Sequence, residues 1–230
     1  GSPEIGMAEA ERLIVQEKVA ALIGAFHSSV AATSSQVAER MGTPYISGES
    51  EASTLTERGY RWFFRTTPSS RTQARDFFVF LRDLNKNRDA PIKTIAVVHE
   101  NTLWGQEFAK SVAGYFKEFS EFQPSIVVGY QQGTSDVTSE VQRLIAAKPD
   151  VVFHASYDAE AILFARTYKQ FNFNPQGVLA IGAAFGSNAF RDALGPDANY
   201  FLVREHWSRD LADRNPLVGQ VAKMYRERFG

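Results

Sequence analysis

The fold is decided by residues 20–29, which read AALIGAFHSS. The opening run is almost continuously apolar, which is typical of a strand buried on both faces of a parallel sheet. The residues that follow, 30–41, are compatible with a helix. A turn from a strand into a helix aims backbone N–H groups at whatever lies above the strand, and the helix dipole adds about half a positive charge there. The stretch therefore predicts a cradle for a carboxylate or phosphate, or a turn in which Ser28 and Ser29 only cap the helix.

Strand-like and helix-like segments alternate along the rest of the chain. Further apolar runs typical of strands occur at 43–47, 62–65, 94–99, 126–128, 151–154 and 178–181, with amphipathic helical patterns between them. This alternation predicts an α/β fold with parallel sheets flanked by helices on both faces. We expect two lobes, an N-terminal one formed by 1–66 and 201–230 and a C-terminal one formed by 69–198. The crossovers between them are expected near 66–68 and 199–203.

Composition excludes several classes of protein. The chain has 230 residues, a formal net charge of −1 and no cysteine, so it has neither disulfides nor cysteine zinc sites. The absence of a basic run argues against nucleic-acid binding. No apolar run is long enough to span a membrane. The sequence contains no G-x-S-x-G, G-x-G-x-x-G or P-loop motif. Three of the four histidines lie at strand ends, but no paired spacing supports a metal site, and we expect neither a metal nor a cofactor.

The predicted site lies beyond the carboxyl ends of the strands, where ligands bind in open α/β sheets. The loops that qualify are 27–29, 48–52, 100–104, 155–158 and 182–187, and because they come from both lobes we expect an inter-lobe cleft. Glu49 and Glu51 are either solvated or a carboxylate pair, which suits an ammonium or hydroxyl group better than catalysis. Trp104 and Tyr157 are either core residues or the walls of a ligand slot.

Several phrases resemble the type I periplasmic solute-binding proteins of ABC importers, in the branched-chain amino-acid (Leu/Ile/Val) class. They are specific in combination and cover essentially the whole chain: 21–29 (ALIGAFHSS), 42–47 (GTPYIS), 55–59 (LTERG), 64–68 (FRTTP), 97–100 (VVHE) with Trp104-Gly105, 141–144 (VQRL) and 148–150 (KPD). The resemblance implies two Rossmann-like lobes that close on a solute by hinge motion. It also implies a periplasmic or otherwise extracytoplasmic location and a membrane permease as partner.

Carried over residue by residue, the resemblance places the ligand carboxylate at Ser28 and the helix start behind it. It makes Trp104 the aromatic wall of the second lobe and Tyr157 its partner. The full set of candidate ligand-binding residues is Ser28, Ser29, Glu49, Ser50, Glu51, Trp104, Tyr157, Asp158 and Phe185.

The chain departs from the family pattern in three respects. Where the family commonly places alanine and threonine beside the carboxylate, this chain has Glu49 and Glu51. Where amino-acid binders set an acid for the α-ammonium, this chain has residues 183–185 (AAF), so Glu49, Glu51 or Asp158 takes that role or the solute is not a simple α-amino acid. The resemblance also begins inside the first lobe and stops before the third crossover. We therefore expect an incomplete N-terminal lobe, an open edge at strand 21–26 and an excerpt of a longer receptor.

The main hypothesis is a non-enzymatic receptor that binds an amino acid or related small carboxylate between its lobes. One alternative is a ligand-sensing domain of a receptor or regulator with the same two lobes. A less favoured alternative is a hydrolase that uses Glu49 or Glu51, which would need an acid or base within hydrogen-bond reach of the substrate.

Overall fold

The computed structural model describes residues 1–182, 184–205 and 207–230. It contains two separate parallel sheets with helices packed against them, and this confirms the predicted α/β class. The strands are β1 Leu22–Ile23, β2 Tyr45–Ser47, β3 Phe63–Arg65, β4 Thr94–Glu100, β5 Gln123–Tyr130, β6 Val151–Ala155, β7 Gly177–Ile181 and β8 Phe201–Arg204. The helices are α1 Pro3–Val15, α2 Ser28–Met41, α3 Ser70–Asn85, α4 Leu103–Tyr115, α5 Thr138–Ala147, α6 Asp158–Gln170, α7 Asn188–Leu194 and α8 Pro216–Phe229. Within the described ranges, no helix combines the length and the apolar character needed to cross a bilayer.

The first lobe contains a three-stranded sheet in the order β1-β2-β3. Leu22, Tyr45 and Phe63 lie side by side in register and are buried in one apolar cluster with residues of α1 and α2. The next residue of β1, Ile23, lies on the opposite face and is 83% exposed. The prediction of a strand buried on both faces is therefore wrong, because β1 is only two residues long, lies at the sheet edge and is covered on one face by the described residues.

The second lobe contains a five-stranded parallel sheet in the order β5-β4-β6-β7-β8. Each face of this sheet is covered by its own apolar cluster. Alternate residues of β4 divide between them: Ile95 and Val97 pack toward α3 and α4, while Ala96 and Val98 pack toward α5 and α6. Because both faces are covered, the central strands β4, β6 and β7 are buried almost along their whole length, and this is why they were recognisable as apolar runs in the sequence.

The structure corrects one predicted lobe boundary. Residues 201–204 were expected to return to the first lobe, but they form β8, which pairs in parallel with β7 from Val178↔Phe201 to Ile181↔Arg204. The second lobe therefore extends at least to Arg204. Strand β3 ends at Arg65 and α3 begins at Ser70, and the crossover predicted near 66–68 stays a prediction. The assignment of the segment after Arg204 to the first lobe stays a prediction.

The turn after β1 also differs from the capping interpretation. Helix α2 begins at Ser28 with His27 as its N-cap residue, and neither serine caps it through its side chain. The Ser28 hydroxyl instead accepts a hydrogen bond from the Ala52 N–H at 3.1 Å. This bond ties the start of α2 to the loop after β2, so two predicted ligand loops are held together within the first lobe.

The second lobe depends on the packing of Phe78 in α3, whose fully buried ring lies 5.1 Å from the Phe119 ring and 5.4 Å from the Phe153 ring, centroid to centroid. We expect Phe78→Ala to lower the free energy of unfolding by about 3–5 kcal/mol, because it leaves a cavity in this cluster. Urea denaturation followed by circular dichroism measures the loss. Phe80→Ala is the matched control in the same helix, since Phe80 is 44% exposed. An equal loss in both variants would contradict this account.

Candidate functional site

A cavity of about 420 Å³ lies between the two lobes, at the carboxyl ends of their strands. The residues that line it come from loops after β1, β2, β4, β6, β7 and β8. They are Phe26, Ser28, Glu49 and Glu51 from the first lobe, and Trp104, Tyr157, Gly182, Arg204, Glu205 and Trp207 from the second lobe and the segment after it. Two parallel sheets that aim their carboxyl ends at one gap form the usual ligand position of open α/β folds.

The start of α2 forms the anion-attracting part of the cavity. The first helical hydrogen bond is donated by the Ala31 N–H to the His27 carbonyl, so the N–H groups of Ser28, Ser29 and Val30 precede the bonded helix. Such N–H groups, together with the positive end of the helix dipole, favour a carboxylate or phosphate. Ser28 is only 2% exposed, yet it lines the cavity.

The Trp104 indole at the start of α4 is fixed on three sides. Its Nε1–H donates to the Glu51 Oε2 atom at 2.8 Å, which is a hydrogen bond between the lobes. One side of the indole meets the Tyr157 ring at a centroid distance of 5.0 Å. On another side lies Gly182, where an added Cβ would come within 2.9 Å of the indole. The wall predicted from the sequence is therefore rigidly held.

Tyr157 makes the second set of contacts between the lobes. Its ring centroid lies 4.6 Å from that of His27 and 5.8 Å from that of Phe26, both in the turn after β1. Burial raises the pKa of the Tyr157 phenol, and the charges of Glu100 and Glu51 raise it further, so the ring stays protonated and neutral. The lobes are thus in contact through a ring pair as well as through the Trp104 hydrogen bond.

Glu51 is positioned by the second lobe although it belongs to the first. Its backbone carbonyl accepts hydrogen bonds from both the N–H and the hydroxyl of Ser70 at the start of α3, at 2.7 and 3.0 Å. Glu49, two residues earlier in the same loop, is exposed. The loop therefore presents one buried and one exposed carboxylate to the cavity.

The opposite side of the cavity carries one more acid and one base. Glu205 follows β8, and its carboxylate lies directly against Gly186, where a Cβ would clash with it. The Arg204 Nε atom lies 3.2 Å from the Asp76 Oδ2 atom of α3. The described lining residues include three carboxylates and one guanidinium, which together have a formal net charge of −2.

Five of the nine predicted ligand residues line this cavity: Ser28, Glu49, Glu51, Trp104 and Tyr157. The structure brings them together from both lobes, as expected. Their part in binding stays a prediction.

The other four lie outside the lining. Ser29 is half-buried in the first turn of α2, and the Ser50 hydroxyl donates to the Ala25 carbonyl. The Asp158 carboxylate accepts from the Ser187 hydroxyl at 2.6 Å. Phe185 is a core residue, because its ring packs 5.2 Å from Phe190 and 5.5 Å from Phe201. Ala183, which belonged to the same predicted loop as Phe185, lies outside the described residues.

Sequence reasoning missed the other five lining residues: Phe26, Gly182, Arg204, Glu205 and Trp207. The last three follow β8 or end it, and interpreting 201–204 as a crossover hid them. If this run had been assigned as a fifth strand, the carboxyl-end rule would have indicated Arg204 and Glu205. The only signal for Gly182 is its place directly after a strand, and its φ of +83° explains the need for glycine.

The histidines at strand ends do not form a metal centre in the described part of the chain, where no group of three or more metal-ligating side chains is found. His154 is fully buried against the Phe164 and Phe185 rings, and burial lowers its pKa to about 3. It is therefore a neutral core histidine. His206 lies outside the described residues.

Behind the aromatic wall lies a buried acid, Glu100, at the end of β4. Neither of its carboxylate oxygens has a hydrogen-bond partner among the described residues, and the side chain is fully buried. Burial raises the pKa of Glu100 to about 7, and the nearby Glu160 carboxylate contributes to the rise. Glu160 itself accepts from the Gly133 N–H at 2.7 Å.

The sequence profile of the family described as "Periplasmic binding protein" matches residues 1–230, which is the whole chain. The chain belongs to the periplasmic binding protein family. A Leu/Ile/Val-binding protein homolog 7 from Brucella abortus (strain 2308) is 30% identical over 231 residues, and the match covers 96% of this chain and 57% of that protein. A Leu/Ile/Val-binding protein homolog 8 from Brucella suis biovar 1 is 29% identical, with 96% and 56% covered.

Solved structures agree with this family fold. A leucine binding protein, LivK, from Thermotoga maritima superimposes with a TM-score of 0.87 at 21% identity, covering all of this chain and 63% of that one. A solute binding protein of R. palustris in complex with benzoate gives a TM-score of 0.79 at 21% identity, with 98% and 61% covered. The chain thus spans somewhat more than half the length of the relatives it matches.

Gly182 is expected to be indispensable for the position of the Trp104 wall. Gly182→Ala places a Cβ against the indole and forces a non-glycine residue to φ +83°, so we expect the free energy of unfolding to fall by about 1–3 kcal/mol. Thermal denaturation measures this loss. Adding Trp104→Leu to Gly182→Ala should recover part of it, because the clash is removed. Gly114→Ala is the control, since a Cβ there meets nothing within 4 Å. No loss in Gly182→Ala would contradict the tight contact.

Glu100 is expected to make stability depend on pH in a defined direction. The folded state holds the Glu100 proton up to about pH 7, whereas the unfolded state releases it near the ordinary glutamate pKa of 4.5, so stability falls as pH rises through this window. Glu100→Gln, which stays neutral, should therefore raise the melting temperature at pH 8 by at least about 2–4 °C and change it little at pH 4. The exposed Glu11→Gln on α1 is the control. A shift in Glu100→Gln that is equal at both pH values would contradict the raised pKa.

Proposed function

We propose that this protein is the solute-binding receptor of an ABC importer and that it binds an amino acid or related small carboxylate in the cavity between its lobes. The observation that carries this proposal is the convergence on one gap of the α2 N-terminus from the first lobe and the Trp104 wall from the second. Family membership supports the receptor role. A membrane permease as partner and a periplasmic or other extracytoplasmic location belong to the same proposal.

The geometry suggests how each part of such a ligand is held. The carboxylate lies at the first N–H groups of α2, beside the Ser28 hydroxyl, because this is where the helix dipole is positive. The body of the ligand packs against the Trp104 and Tyr157 rings. An ammonium group faces Glu49, Glu51 or Glu205, since a buried ammonium without a carboxylate would be costly.

Ligand binding is coupled to lobe closure in this proposal. The hydrogen bond from Trp104 to Glu51 and the contact of Tyr157 with His27 both join the lobes at the cavity wall. A ligand that touches both lobes adds to these contacts only when the lobes are closed, so it shifts the hinge equilibrium toward the closed state. A permease that recognises the closed state would then receive only loaded receptor.

The names of the relatives suggest where the search for the solute should start. The sequence relatives are named for leucine, isoleucine and valine, and one solved neighbour was crystallised with benzoate. All four compounds are small carboxylates, which is the chemistry that the α2 N-terminus suits. The proposal includes release of the solute unchanged, which mass spectrometry of the solute after long incubation with the protein tests.

A thermal-shift screen of the purified protein against amino acids and small carboxylates tests the proposal. A ligand at about one hundred times its dissociation constant adds roughly 2.7 kcal/mol of stability, which raises the melting temperature by about 5–10 °C for a chain of this size. Trp104→Ala should abolish the shift. Trp62→Ala is the matched control, because Trp62 is a partly exposed tryptophan outside the cavity lining. A complete screen without any shift would contradict the proposed function.

A further inference from the structure

We propose that Ser70, at the start of α3, is a positioning residue for solute binding, because it fixes the backbone of Glu51 so that the Glu51 side chain meets the Trp104 indole. This inference deepens the proposed function and rests on it. Ser70 does not line the cavity. It acts through Glu51 rather than by touching the solute.

Ser70 makes two hydrogen bonds to a single backbone atom. Its N–H and its hydroxyl both donate to the Glu51 carbonyl oxygen, at 2.7 and 3.0 Å. Ser70 is completely buried, so water does not compete for this oxygen. A carbonyl oxygen can accept two hydrogen bonds, and here Ser70 supplies two. A pair of donors restricts the orientation of the Glu51 peptide group as well as its distance from α3.

The start of α3 offers these donors because a helix leaves its first N–H groups without acceptors in the helix itself. The Ser69 hydroxyl caps one of them from within the same turn. The N–H groups of Ser70 and Arg71 donate to the first lobe instead. Their acceptors are the Glu51 carbonyl and the Ser53 hydroxyl, the latter at 3.2 Å. The start of α3 thus holds the loop after β2 at two points.

The first lobe fixes the residues on either side of Glu51. The Ser50 hydroxyl donates to the Ala25 carbonyl, and the Ala52 N–H donates to the Ser28 hydroxyl at 3.1 Å. A bond from the second lobe therefore reaches residue 51 between two bonds from the first lobe. Where residue 51 lies relative to the second lobe depends on the start of α3.

The Glu51 side chain transmits the effect of Ser70 to the cavity wall. Glu51 is 5% exposed, and its Oε2 atom accepts from the Trp104 Nε1–H at 2.8 Å. The direction of a Cα–Cβ bond is set by the peptide groups beside it, so a rotation of the Glu51 carbonyl moves the carboxylate away from the indole. A displaced carboxylate leaves the buried indole N–H without its acceptor, which is unfavourable.

An ion pair also joins α3 to the first lobe, but it restrains Glu51 less. The Arg71 guanidinium lies 2.9 Å from the Glu57 carboxylate, and the two side chains are 58% and 46% exposed. Water and salt weaken an attraction between exposed charges. The buried bonds of Ser70 are therefore the stronger restraint at this end of α3.

Hydrogen exchange of the Trp104 indole tests the positioning without a ligand. The chain has three tryptophans, so isotope-labelled tryptophan gives three indole N–H signals in an NMR spectrum, and Trp62→Phe and Trp207→Phe identify two of them. The remaining signal reports on the bond to Glu51, because a buried and hydrogen-bonded N–H exchanges with solvent only when the structure around it opens.

We expect Ser70→Ala to speed this exchange about three- to tenfold, since the Glu51 carbonyl loses one of its two donors. Ser69→Ala is the matched control, because the Ser69 hydroxyl bonds to Thr72 of the same helix, and it should leave the rate unchanged. An unchanged rate in Ser70→Ala would overturn the proposal. An equal acceleration in both variants would overturn it as well, because the cause would then be a general loosening of α3.

Isothermal titration calorimetry tests the consequence for binding, with leucine, isoleucine, valine and benzoate as probes. The dissociation constant of the tightest-binding probe should rise about three- to tenfold in Ser70→Ala and stay unchanged in Ser69→Ala. Trp104→Phe removes the indole N–H and keeps a ring. In that background Ser70→Ala should change the dissociation constant by less than about twofold, because both substitutions act on the same bond. An undiminished effect in that background would contradict the route through Glu51.

The two measurements separate this inference from the proposed function. If a probe binds and its affinity is the same in Ser70→Ala as in the unaltered protein, the inference is wrong and the proposed function stands. If no amino acid or small carboxylate binds, the proposed function fails and the role of Ser70 in binding fails with it. Faster indole exchange in Ser70→Ala together with weaker binding supports both.

Discussion

The hydrogen bond from the Trp104 indole to the Glu51 carboxylate is the contact on which the site depends, because its two ends belong to different lobes. The backbone of Glu51 is bonded to Ser70 at the start of α3. Trp104 packs against the Tyr157 ring and against the backbone of Gly182, where a side chain would leave no room for the indole. Each lobe therefore contributes one preformed part of the cavity wall, Glu51 from the first lobe and Trp104 from the second. A cavity of defined shape exists only when the two parts meet, and in the proposed function this is the physical basis for coupling ligand capture to closure.

The class of fold was predictable because the central strands of the second lobe, β4, β6 and β7, are buried on both faces and stand out as apolar runs. The register and order of the strands were not predictable, since these runs are alike in composition. β1 shows the limit in the other direction: its sequence is as apolar as that of β4, yet Ile23 is exposed because it lies in an edge strand with one covered face. An apolar composition shows that a strand can be buried, whereas the neighbouring strands and helices determine which of its side chains are buried.

The candidate site was predictable where a residue directly follows a strand that the sequence reveals. Glu49, Glu51, Trp104 and Tyr157 satisfy that condition and line the cavity. Asp158 and Phe185 satisfy it too, but one bonds Ser187 and the other packs into the core. The direction of a side chain after a strand end depends on the turn, and no local pattern fixes that direction. Arg204 and Glu205 were missed for a different reason, namely that a short strand was interpreted as a connection.

The buried position of Trp104 has a consequence for how this molecule can be observed. Indole emission depends on the polarity of its surroundings, and this indole lies between a carboxylate, a phenol ring and a glycine backbone. Separation of the lobes would remove the Glu51 carboxylate and expose that side of the indole to water. In the proposed function Trp104 is thus an intrinsic optical probe of lobe opening, once its emission is distinguished from that of the partly exposed Trp62 and Trp207.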